Sequence, residues 1–138
     1  MQVRIPPGYT PSEDEPFMNP IMREYFRQRL LAWREDLMAE ATETLNALQE
    51  SAVQEPDFAD RATSEACRAI ELRTRDRARK LIAKIDAALQ RIEDGTYGLC
   101  EETKEPIAIS RLVARPIATL SVEAQERHER MEKTHREA

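Results

Sequence analysis

Two long stretches of this chain carry apolar residues three and four positions apart, and a short proline-containing break separates them. In the first, Phe26, Leu30, Trp33, Leu37, Ala41, Leu45, Leu48 and Ala52 recur at helical spacing. In the second the stripe is Ala66, Ile70, Ala78, Leu81, Ile85, Leu89 and Ile92. The break, Gln54 to Ala59, holds Pro56, Asp57 and Phe58 and reads as a turn. Two helices joined by so short a loop must return antiparallel. The sequence therefore predicts a mainly all-α fold built on a long antiparallel helical hairpin, a coiled coil, over residues 19–93 with its tip near 55–62. At ~1.5 Å per residue its first helix is about 50 Å long. The stripe thins toward the tip, where Ala and Thr replace Leu, Trp and Ile. A slim end suits insertion into something narrow, and equally suits an end that frays.

The remaining segments are shorter. Residues 1–18 hold four of the eight prolines and the acidic run Glu13-Asp14-Glu15, so an irregular arm is expected. It ends at Asn19-Pro20, a side chain that caps a helix followed by a residue suited to the first turn. Asp94-Gly95 reads as a helix stop. Residues 94–120 then form a small globular connector, in which Ile107-Ala108-Ile109 is expected as a short strand. Leu99, Ile107, Ile109, Leu112 and Leu120 are its expected apolar packing. A C-terminal helix over 121–138 starts at Ser121, which can cap it. With 34% charged residues, 5% aromatic and three glycines, the composition suits long amphipathic helices better than a compact globule.

Charge narrows the function. A formal net charge of −5 argues against a free-standing module that reads DNA sequence. The N-terminus has no basic region leading into an apolar core, and no apolar run is long enough to span a bilayer, so a soluble cytoplasmic protein is expected. Two cysteines, Cys67 and Cys100, make no disulfide framework.

The candidate chemistry is sparse. Positions 100, 103, 121 and 124 have the spacing of a four-ligand zinc site, but they are Cys100, Thr103, Ser121 and Ala124. Only the first supplies a thiolate, so a segment lacking zinc and held by apolar packing is expected. His128, Glu132 and His135 share a helical face in a charged tail and read as solvated. Arg73, Arg77, Lys80 and Lys84 step by four, three and four along the second helix. That stripe is either a solvated face paired with Glu35, Glu40 or Glu43 across the hairpin, or a contact for phosphates or an acidic protein rim. Asp57 and Asp60 lie at the turn with Arg61 and Ala62 behind them. Asp60 suits a helix cap, and the pair also suits contact with a metal site or mobile loop of a partner. No positioned base, Cys–His pair or glycine-rich phosphate loop accompanies them, so no enzyme is expected.

Five segments in order resemble the DksA/TraR family. Phe17-Met18-Asn19, Phe26-Arg27 and Leu31-Ala32-Trp33-Arg34 look like its first hairpin helix, and Asp57-Phe58-Ala59-Asp60-Arg61-Ala62 like its acidic tip. Arg73-Thr74-Arg75-Asp76-Arg77 with Arg79-Lys80-Leu81-Ile82 resembles the returning helix. Tyr97-Gly98-Leu99-Cys100-Glu101 and Arg111-Leu112-Val113-Ala114-Arg115-Pro116 look like the globular segment.

The resemblance implies a monomeric factor whose hairpin enters the secondary channel of RNA polymerase. There it would destabilise promoter complexes together with the alarmone ppGpp, in the stringent response. It implies that Asp57, Asp60, Arg61 and Ala62 face the polymerase active site, with Asp60 and Ala62 most important. Leu81, Lys84, Arg115 and Gln125 would face ppGpp, and Arg73, Arg77 and Lys80 the polymerase rim. At position 125 the family pattern has a lysine. Family members with a full zinc site carry cysteines at all four positions of which only Cys100 remains here, so a zinc-independent member is implied. Two other readings fit an acidic helical hairpin: a Gre-like transcript-cleavage factor, which would hold magnesium at its tip, and a helical adaptor or holdase.

Overall fold

The structure is a computed structural model and describes residues 3–54 and 61–137, with side chains over 3–50 and 64–135. Four helices follow one another: α1 (Pro20–Gln54), α2 (Arg61–Asp94), α3 (Ile109–Ala114) and α4 (Val122–Glu137). Among the described residues there is no strand. An isolated bridge joins Leu99 to Pro106, and the short strand expected at Ile107-Ala108-Ile109 is absent. Ile109 instead opens α3. Ile107 N–H donates to Gly98 O at 2.7 Å, and from there the chain enters a helical turn in which Leu112 N–H donates to Ala108 O at 3.2 Å.

The chain divides into two compact units, Met1–Leu30 with Ala87–Ala138, and Leu31–Asp86. The first is organised around Phe26, which is fully buried with Met22 and Leu30 on one face of α1. Its ring meets Tyr97 at 5.4 Å and Tyr25 at 5.3 Å between centroids. Tyr97 is buried, which pushes its phenol up, and its O–H donates to Pro116 O at 2.7 Å. Ile107, Ile109 and Leu112 close the same core, while Leu99 and Leu120 are half-buried.

The N-terminal arm carries no helix over residues 3–19, but it is ordered by one acid. The Glu15 carboxylate accepts from Tyr9 O–H at 2.8 Å, Ser12 N–H at 2.9 Å and the Asn19 amide at 3.3 Å. These bonds hold its carboxyl below the ordinary range. Asn19 then begins α1, its Oδ1 accepting Met22 N–H at 2.9 Å. Ser121 repeats the device for α4, accepting Ala124 N–H at 3.2 Å.

Candidate functional site

Within Leu31–Asp86, α1 and α2 pack antiparallel. Arg34 Nε donates to Asp86 Oδ1 at 2.9 Å, and a groove is lined by Met38, Ala41 and Thr42 on α1 and by Arg75, Ala78, Ile82 and Asp86 on α2. In this unit Trp33, Leu37, Ala41, Leu45 and Leu48 are half-buried apolar positions of α1. On α2 Cys67, Glu71, Thr74, Ala78, Leu81 and Ile85, stepping by four and three, are covered, and Asp76 and Ile82 beside them are half-buried. This corrects the sequence stripe, because Ala66 and Ile70 are exposed. The seam takes Cys67, Glu71 and Thr74 instead, and apolar spacing cannot mark a seam whose residues are polar.

The two arms of this hairpin have opposite charge. Residues 31–54 carry five acids and one base, while residues 61–86 carry eight bases and four acids. The basic stripe is exposed throughout, but its members are not equivalent. Asp76 takes Lys80 at 3.0 Å and Arg79 at 3.4 Å, and Lys80 chiefly holds the Asp76 carboxyl below its ordinary range. Glu71 takes Arg75 at 2.9 Å. Among the described residues Arg73, Arg77 and Lys84 have no ion-pair partner, and Glu35, Glu40 and Glu43 take none of them.

The expected site residues fall in several places. Asp57 and Asp60 lie outside the described residues; Arg61 and Ala62 open α2, but their side chains are not among those described. Leu81 is half-buried in the seam and Lys84 exposed, both in the Leu31–Asp86 unit. Arg115 and Gln125 belong to the other unit. Arg115 is exposed, and the Gln125 amide donates to Glu129 at 3.1 Å. His128, Glu132 and His135 are all exposed on α4, and among the described residues no three His, Cys, Asp or Glu side chains gather to hold a metal.

Positions 100, 103, 121 and 124 do converge. Cys100 and Ala124 are inaccessible to solvent, Ser121 N–H donates to Cys100 Sγ at 3.4 Å, and Thr103 is hydrogen-bonded to the same thiol. Cys100 N–H donates to Glu105 O and Lys104 N–H to Cys100 O, both at 2.8 Å, closing a tight knuckle. Burial raises the Cys100 thiol, but hydrogen bonds from the Thr103 side chain and from the amides of Ser121, Thr103 and Glu102 outweigh it and bring it down to about 6. One thiolate, two hydroxyls and a methyl are not a tetrahedral zinc donor set. The residues present do not fit a four-cysteine zinc ion.

Comparison with known proteins places this architecture. Residues 22–92 match the model of the DnaK suppressor protein DksA N-terminal domain, and residues 95–130 that of the prokaryotic dksA/traR C4-type zinc finger. The RNA polymerase-binding transcription factor DksA of Caulobacter vibrioides NA1000 is 64% identical over 129 residues, covering 94% of this chain and 91% of that protein. Its namesake from Escherichia coli K12 is 41% identical over 84% of this chain and 79% of its own length. A solved structure of transcription factor DksA2 from Pseudomonas aeruginosa superposes with a TM-score of 0.76 at 40% identity, covering 87% of this chain and 95% of that one. On these matches, which span both the helical and the connector segments, the chain belongs to the DksA/TraR family.

Proposed function

We propose that this chain is a transcription regulator that binds RNA polymerase and reaches into its secondary channel with the tip of its hairpin. The near-full-length match to the RNA polymerase-binding transcription factor DksA carries the reading. A slim antiparallel hairpin with an exposed basic face supports it. In the sequence, Asp57 and Asp60 put two carboxylates in the stretch between the helices, followed by Arg61 and the small Ala62. Acting as a monomer near the active site, the tip destabilises promoter complexes without catalysing a reaction.

The alarmone ppGpp is the effector in this proposal. Leu81, Lys84, Arg115 and Gln125 are the residues that face it in this reading, with the cations Lys84 and Arg115 suited to its phosphates. Gln125 donates a hydrogen bond but adds no charge, so the response is weaker than with a lysine there. Zinc takes no part, because Thr103, Ser121 and Ala124 offer no thiolates and the knuckle closes on its own hydrogen bonds. The setting is the cytoplasm, where the polymerase works.

The test is co-sedimentation with core RNA polymerase followed by promoter-complex lifetimes. The expected result is tight binding and shortened lifetimes. Failure to bind, or cleavage of the transcript in backtracked complexes, would overturn the reading.

A further inference from the structure

Helix α3 is six residues long and ends at Arg115, whose backbone leaves the helical region (φ −141°, ψ 84°), as the following Pro116 favours. The Arg115 side chain is exposed and takes no ion-pair partner among the described residues. A helix this short cannot fix its own C-terminus, yet the backbone on both sides of Arg115 is tied down. Arg29 on α1 donates through its guanidinium to Val113 O, just before it. Tyr97 O–H donates to Pro116 O, just after it, at 2.7 Å, and Arg111 Nε to Leu120 O at 2.8 Å. Arg115 N–H itself donates to Arg111 O at 2.7 Å, and its carbonyl accepts Ala118 N–H at 3.0 Å. All of these groups lie in one unit, Met1–Leu30 with Ala87–Ala138.

We propose that Arg29 and Tyr97 are positioning residues, which brace the backbone of residues 113–116 so that Arg115 is presented ready oriented to the phosphates of the effector. This deepens the ppGpp reading above and rests on it. Neither side chain needs to touch the ligand. Arg29 takes up a carbonyl that the end of α3 leaves without a helical partner, and its charge suits that end of the helix dipole. Pro116 is buried, and its carbonyl is paired through the Tyr97 hydroxyl. A guanidinium recognises phosphate as a fork held in register. On a fixed backbone it loses less freedom on binding than on a frayed helix end, so the brace is converted into affinity.

The experiment titrates ppGpp against promoter-complex lifetime for full-length wild type, Tyr97→Phe, Arg29→Ala, Arg29→Lys and Gly95→Ala, with polymerase alone as the baseline. Amide hydrogen exchange of Arg115 and Ala118 is followed in the same proteins. Tyr97→Phe keeps its ring against Phe26, and Arg29→Ala keeps a good helix former in α1. Polymerase affinity and lifetimes without ppGpp should therefore stay within about twofold of wild type. The ppGpp midpoint should rise about threefold in Tyr97→Phe and about fivefold in Arg29→Ala, with faster exchange at both amides. Arg29→Lys, which keeps a charged donor, should recover most of the loss. Gly95→Ala, strained but with the brace intact, should keep the wild-type midpoint. Unchanged midpoints in Tyr97→Phe and Arg29→Ala would overturn the brace. So would a shift without faster exchange, which would make the two residues ligand contacts, or an equal shift in Gly95→Ala, which would make the effect one of stability alone. A wild-type chain with no response to ppGpp would overturn the ppGpp reading itself, and the brace's role with it.

Discussion

Replacing Gly98 by alanine, beside the same change at Gly95, tests how tightly the N-terminal arm packs on the connector. Both glycines have positive φ, +86° and +81°, so both variants bear the cost of a left-handed alanine, about 1 kcal/mol. A Cβ at Gly95 would meet nothing within 4 Å. At Gly98 it would lie 2.8 Å from Phe17 Cζ, 2.9 Å from Met18 Cε and 3.4 Å from Leu112 Cδ1. The backbone cannot easily retreat, because Gly98 O accepts Ile107 N–H at 2.7 Å. The side chains must give way instead, and overpacking adds about 1–3 kcal/mol. The Met18 thioether is flexible, which favours the lower half of that range. Gly98→Ala should therefore cost about 2.5 kcal/mol and Gly95→Ala about 1 kcal/mol. Urea unfolding followed by far-ultraviolet circular dichroism measures both. Equal costs would refute the close packing of Phe17 and Met18 over Gly98.

Cys100 gives a pH signature. Its folded value of about 6 lies below the ordinary 9.0, so its stabilisation is complete above about pH 9 and is lost as pH falls through about 6. The stability difference between wild type and Cys100→Ser should grow from pH 6 to pH 9, and a flat difference would contradict the thiolate. Chelators should leave the melting curve unchanged and metal analysis should find no stoichiometric zinc; a metal-dependent transition would show that the knuckle recruits an ion after all. Lys84→Ala should remove most of the ppGpp effect on promoter-complex lifetime while leaving the basal effect, and an undiminished response would take Lys84 out of the site.

Much of the fold was legible because local chemistry announces it. Asn19-Pro20 and Ser121 are capping signals, and their side chains make the capping bonds. The stripe of α1 was legible because its seam is apolar. That of α2 was not, because Glu71 and Thr74 sit in the seam while Ile70 and Leu72 face out. The order of the arm was hidden too. It depends on Glu15 meeting Tyr9 and Asn19 in space, and no periodicity encodes that. Helix α3 is six residues long, too short for a periodic pattern to separate from a strand. At the candidate site the missing thiolates and the basic stripe could be read from residue types alone. Which cations are already paired could not, since Asp76 lies within reach of both Arg79 and Lys80 and only coordinates assign them.

The most direct test of the central claim is promoter-complex lifetime on RNA polymerase, measured for wild type and for Asp60→Asn together with their binding affinities. Asparagine keeps a capping oxygen and removes the charge, so the helix should persist. Wild type should shorten the lifetime, and Asp60→Asn should bind about as tightly but lose most of the effect. A variant as active as wild type would reduce Asp60 to a helix cap, and a wild-type chain that binds polymerase without changing the lifetime would contradict the proposed function.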